Sequence, residues 1–178
     1  MWKLFTTVIL VAFKYHIERF WDDEFKTLNY IHEPFNDPAS LQRWTAQGYT
    51  SKICGALCDM RHQLPAWTSK FIKMYEAQGW KNIGLAFYRM STDTVMPVHR
   101  DLYKRYVEVF NLQGREQSIR RALVLLENWQ SGHYLEVNAE AVVNWSAGKT
   151  VEWVYDTPHS AANLGLTDRY TLQITGHV

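Results

Sequence analysis

His99 and Asp101 stand two residues apart in the run Val95-Met96-Pro97-Val98-His99-Arg100-Asp101. On a strand, residues two apart point to one face about 6 to 7 Å from each other, so an imidazole and a carboxylate can converge on one ion. Alone, such a His-X-Asp step is more often a surface histidine bonded to a carboxylate. Its weight rises with His159, which follows Asp101 after fifty-seven residues in Asp156-Thr157-Pro158-His159-Ser160, and with Arg169, with nine residues between the two. Two histidines and one carboxylate form the facial set that leaves three positions of an octahedral Fe(II) open, and a chelating co-substrate and dioxygen can fill them. Arg169 and Thr171 alternate on the next expected strand, so a guanidinium and a hydroxyl share a face and can grip a distal carboxylate.

The elements that must position these groups lie mostly after residue 82. Short β-branched and aromatic runs predict strands over 84–90, 95–101, 121–127, 133–137, 140–145, 150–155 and 169–175, with turn chemistry at Asn128, Gly132, Asn138, Gly148 and Gly165. Strands at this spacing predict a sandwich or barrel, not βαβ units. The charged segment 103–120, with Gly114 near its middle, reads as a partly mobile loop excursion of the kind that serves as a lid. Before residue 83 the chain reads as a mixed, helical support. Asp37-Pro38 starts a helix over about 38–47 that Gly48 ends, and a second runs from near Pro65 to Gly79 with Trp67, Phe71, Met74 and Tyr75 on one face. No linker divides residues 1–178, so a single domain is expected.

Of the 178 residues, 47% are hydrophobic and 21% charged, which excludes a disordered chain. Nineteen Lys and Arg against eighteen Asp and Glu give a net charge of +1, so no global field attracts nucleic acid or an anionic membrane. Aromatic residues make up 15%, which suits a sheet-rich core or an aromatic cleft. Cys54 and Cys58 are too few for a disulfide scaffold. Their spacing suits two small buried thiols on one helix face, and a reducing, cytoplasmic compartment is expected. The apolar stretch Leu4–Phe13 lacks a small-residue cleavage site and is too short to span a bilayer, so a buried strand or helix is expected there.

Over roughly 84–176 the sequence resembles the Fe(II)- and 2-oxoglutarate-dependent oxygenases with a double-stranded β-helix core. The likeness is carried by His99-Arg100-Asp101, Trp145-Ser146-Ala147-Gly148, Pro158-His159-Ser160 with Asn163 and Gly165, and Arg169-Tyr170-Thr171-Leu172. The resemblance implies an α+β, mainly β fold: a jelly-roll or cupin-like core with supporting N-terminal helices. It implies that His99, Asp101 and His159 ligate Fe(II), and that Arg169 and Thr171 hold the C5 carboxylate of 2-oxoglutarate, the co-substrate used with O₂. Asp101 argues for hydroxylation, since Gly or Ala there would open a position for halide.

Tyr88, Arg89 and Arg121 are pocket candidates by strand position only, and ordinary surface charge is the commoner reading of the two arginines. His133 and Glu136 look ligand-like, but hydrogen-bonding turn residues are the commoner reading. Expected substrates are peptidyl or amino-acid, prolyl or aspartyl/asparaginyl hydroxylase-like, or another small molecule; nucleic acid is disfavoured and no membrane partner is expected. Two other classes remain open: a cupin-like metal enzyme that does not use 2-oxoglutarate, and a non-catalytic β-sandwich binding module.

Overall fold

The computed structural model describes residues 12–49 and 52–178. Among the described residues twelve strands run in chain order: β1 (Phe13–His16), β2 (Ile31–His32), β3 (Lys52–Ile53), β4 (Ala56–Asp59), β5 (Lys81–Met90), β6 (Thr94–His99), β7 (Ile119–Leu125), β8 (His133–Val137), β9 (Glu140–Val142), β10 (Lys149–Val154), β11 (His159–Asn163) and β12 (Arg169–His177). The helices are α1 (Pro38–Ala46), α2 (Thr68–Glu76) and α3 (Lys104–Val109). Seven strands form one sheet in the order β1-β10-β7-β12-β5-β4-β2, and five form the other in the order β3-β6-β11-β8-β9. All pairings are antiparallel except β3 with β6. This is the double-stranded β-helix, mainly β with few helices.

Strand alternation sorts the core into two layers. Leu85, Phe87, Ala122, Val124, Leu172 and Ile174 face outward from the larger sheet and bury against Phe71 and Tyr75 of α2 and against Trp21 and Phe25. Leu123 and Leu125 face inward and meet Leu135, Val137, Trp145, Val151 and Trp153 between the sheets. On β12 the inward stripe in phase with Thr171 is polar, Arg169-Thr171-Gln173. A polar stripe inside a barrel is costly unless something binds it.

Several turns need glycine. At Gly132, φ is +91°, and a Cβ would come within 2.3 Å of the Gly165 backbone nitrogen. At Gly148, φ is +96°, and a Cβ would meet the Ile17 carbonyl at 2.1 Å. These two close approaches fix the ends of the strands that flank the site.

The structure corrects several local expectations. Cys54 and Cys58 do not share a helix: Cys54 has φ +68° and Cys58 lies in β4. Gly55 between them presses on the Arg89 carbonyl, where any side chain would block the pairing of β4 with β5. Both thiols are nevertheless buried and free, and burial pushes that of Cys54 up to about 11. Strand β6 ends at His99, two residues earlier than expected, and the strand expected over 140–145 ends at Val142. The segment 103–120 holds α3 and a 3-10 turn, pinned by buried Tyr103, Val107, Leu112 and Ile119. Residues 4–11 of the apolar N-terminal stretch lie outside the described residues; Phe13 opens β1 and is exposed. Among the described residues no helix is long and apolar enough to cross a membrane.

Candidate metal centre

His99 closes β6 and His159 opens β11, and the two are direct cross-strand partners. Their rings lie 4.2 Å apart, centroid to centroid. Each is held from behind. The ring of His99 packs edge-on against Phe35 and against Trp44 of α1, and that of His159 lies 5.0 Å from Trp153. Asp101 reaches the pair from the loop after β6 and not from the strand itself. Its Oδ1 lies 3.9 Å from His99 Nε2, and its Oδ2 lies 3.8 Å from His159 Nε2.

Both imidazoles have their tautomer fixed. His99 Nδ1 lies 2.8 Å from the Pro97 carbonyl, and His159 Nδ1 lies 2.9 Å from the Thr157 carbonyl. A carbonyl only accepts, so each Nδ1 donates, and in the neutral imidazole the lone pair then lies on Nε2. Burial, reinforced by neighbouring His159, pulls His99 down to about 4 and keeps it neutral at pH 7. Asp101 is ionised: burial raises its pKa, but Arg121, the two histidines and the Tyr103 hydroxyl outweigh that and hold it at about 2.

Two Nε2 atoms and a carboxylate thus face one gap, at separations too long for hydrogen bonds. Ligand atoms of His99, Asp101 and His159 all lie within 4.8 Å of one another. A cation resolves this arrangement, and the His-Asp-His set can hold a metal ion. Each Nδ1–H bond to a backbone carbonyl is the kind of outer support that orients a metal-binding histidine.

A narrow cavity of about 50 Å³ leads from His99 and His159 into the barrel, past Met96, Leu135 and Tyr88, to Arg169, Thr171 and Gln173. Arg169 is 3% exposed. One of its terminal nitrogens donates to the Tyr134 carbonyl at 3.1 Å and to the Met90 sulfur, a weak acceptor, while the guanidinium lies over Trp145. Its Nε is buried with no hydrogen-bond partner, and no carboxylate pairs with it among the described residues. Burial pulls this guanidinium down to about 10, an unusual strain for arginine. A carboxylate in the cavity would satisfy both its charge and its idle donor.

The remaining sequence candidates separate clearly. Tyr88 lines the cavity, and its hydroxyl accepts from the Gly55 N–H. Arg89 does not: it lies over Tyr30 and 3.9 Å from Asp168, half-exposed. His133 is buried in the turn region, 3.0 Å from the Thr167 carbonyl and stacked on Trp145, and Glu136 accepts from Tyr134. Arg121 is the residue that sequence reasoning undervalued. It pairs with Asp101 Oδ2 at 3.3 Å, donates to Gln173 at 2.7 Å and stacks on Tyr103.

No family model matches the chain. No curated protein matches it either. Among solved structures, a prolyl-4-hydroxylase from Pseudomonas putida is 15% identical, covers 96% of this chain and 94% of its own, and superposes with a TM-score of 0.56. The plu4264 protein from Photorhabdus luminescens is 10% identical over 90% of this chain and 88% of its own, TM-score 0.44. The Schizosaccharomyces pombe Cnp3 cupin domain is 8% identical over 75% and 72%, TM-score 0.43. At these identities the likeness is one of fold, and its weight rests on the first. The chain is therefore a double-stranded β-helix protein with a His-Asp-His group able to hold a metal ion at one end of an internal cavity.

Proposed function

We propose that the protein is an Fe(II)- and 2-oxoglutarate-dependent dioxygenase that hydroxylates a C–H bond of an amino-acid, peptidyl or other small organic substrate. The observation that carries this reading is the pairing, across one cavity, of three clustered metal donors with a buried arginine whose Nε has no partner. A cupin-like metal enzyme without 2-oxoglutarate would use the donors but leave Arg169 an uncompensated buried cation, which costs several kcal/mol.

His99, Asp101 and His159 would hold the iron, and three coordination positions would remain for ligands. Arg169 would accept the far carboxylate of the oxo acid, Nε and a terminal nitrogen donating side by side, with Thr171 on the same face. When bound, iron and 2-oxoglutarate supply the oxidation, in which one atom of O₂ enters succinate as CO₂ leaves and the other enters the substrate as hydroxyl. The protein's own work is positioning and exclusion of water. Leu123, Leu135 and Trp153 wall the cavity with apolar surface, while Met90 and Met96 are flexible enough to make room for an oxo acid.

The test is anaerobic calorimetric titration of 2-oxoglutarate into the Mn(II)-loaded protein. Binding by the wild type and its loss in Arg169→Ala are expected. Metal uptake with no 2-oxoglutarate binding, or equal binding by the variant, would put the cupin-like reading ahead. No metal uptake at all would leave the non-catalytic module.

A further inference from the structure

A second, larger cavity of about 610 Å³ lies between α3 and the strands β4, β5 and β12. Two side chains link its wall to the metal centre. Gln173 lines this groove and the inner cavity alike, and Arg121, on the groove wall, pairs with Asp101. A molecule lying in the groove would therefore touch Arg121 and Tyr103, the two side chains that contact Asp101. Its volume is that of a small-molecule site.

The groove has room because its floor is made of Gly84 and Ala86, which pair with Thr175 and Gln173. A Cβ added at Gly84 would meet nothing within 4 Å. The walls are apolar and partly uncovered: Val109 is 57% and Met60 54% exposed, with Tyr106 and Phe110 beside them. Three arginines line the groove against one carboxylate, Asp59. Arg61 is neutralised by Asp59 and Glu33, and Arg121 by Asp101. Arg105 forms no ion pair among the described residues, so the groove offers one unmatched cation above an apolar trough.

We infer that this groove binds the molecule to be oxidised, and that its class is a small amphiphilic carboxylic acid whose carboxylate pairs with Arg105 and whose apolar body extends toward Gln173. The oxidative role rests on the proposed function; the binding does not. The reaction would take R–H, O₂ and 2-oxoglutarate to R–OH, succinate and CO₂.

Octanoate is a suitable probe, with octylamine as the control of opposite charge. Both are titrated into the full-length protein, metal-free and Mn(II)-loaded, and followed by calorimetry. Octanoate should bind in both states, about tenfold or more tightly than octylamine, and Arg105→Glu should weaken it about tenfold. Gly84→Leu, which fills the groove from a position with open space, should abolish binding. Arg105 is exposed and Gly84 unobstructed, so both variants should keep the wild-type melting temperature and 2-oxoglutarate affinity. Equal affinity for octylamine, or wild-type octanoate binding by both variants, would overturn the inference. Octanoate binding without any 2-oxoglutarate binding would sustain the groove while sinking the oxygenase reading.

Discussion

One Arg121 nitrogen lies 3.3 Å from Asp101 Oδ2, and the Tyr103 hydroxyl donates to the same oxygen at 3.0 Å. The carboxylate is thereby held by one of its oxygens while the other, Oδ1, stays on the His99 side. Arg121 is a positioning residue, and its removal should weaken metal binding without deleting a ligand. Arg121→Gln should lower Mn(II) affinity about 10- to 100-fold. A competition titration against a chelator measures this, and an unchanged affinity would show that Asp101 needs no such restraint.

Arg169 should trade stability for binding. Replacing a buried, incompletely paired cation by an apolar side chain of similar length is often neutral or stabilising by about 1 to 4 kcal/mol. Arg169→Met should therefore leave the ligand-free protein at least as resistant to urea as the wild type while losing 2-oxoglutarate. A large drop in the unfolding midpoint would instead make Arg169 a structural residue.

The metal-free protein should lose stability in mild acid. His99 has its folded-state pKa depressed to about 4 from an ordinary 6.5, so between those values the unfolded chain binds more protons than the folded one. Stability should be at its full value above about pH 6.5 and fall steadily toward pH 4, by up to about 3 kcal/mol from this group. Asp101 acts lower: its contribution is present above its unfolded pKa and is lost as pH falls toward about 2. Urea midpoints from pH 7 to pH 4 check the His99 window, and His99→Phe should flatten it.

The two histidines should differ when truncated. His159→Ala should remove metal binding at small structural cost. His99→Ala should remove it too, and should also cost about 1 to 3 kcal/mol, because its ring fills space against Phe35 and Trp44. Paired metal and urea titrations of both variants check the contrast.

Gly132→Ala should cost about 2 kcal/mol or more, since it combines a left-handed backbone with a clash against Gly165. The turn before β8 would be displaced, and thermal melting measures the loss.

Much of the barrel was legible because its strands alternate in plain view: Tyr170, Leu172 and Ile174 face outward on β12 while Arg169, Thr171 and Gln173 face in. Strand β11 was not, because His-Ser-Ala-Ala-Asn carries no β-branched or large apolar residue and forms only where β6 and β8 pair with it on both sides. Arg121 was undervalued for a related reason. The run Ala122–Leu126 is apolar on both faces, so its parity does not reveal whether Arg120 or Arg121 points inward. The approach of Asp101 is hidden as well: the chain leaves the sheet at His99, and a loop ending in Tyr103, with φ +48°, carries the carboxylate.

The cross-strand pairing of His159 with His99 sits beside an irregularity in β11, between His159 and Ala161. Slipping β11 by a single residue against β6 would send the His159 imidazole to the opposite side of the sheet. Ion affinity is therefore a gauge of correct assembly: only a chain whose two strands have met in the right alignment can capture the ion, and capture in turn locks that alignment against slippage.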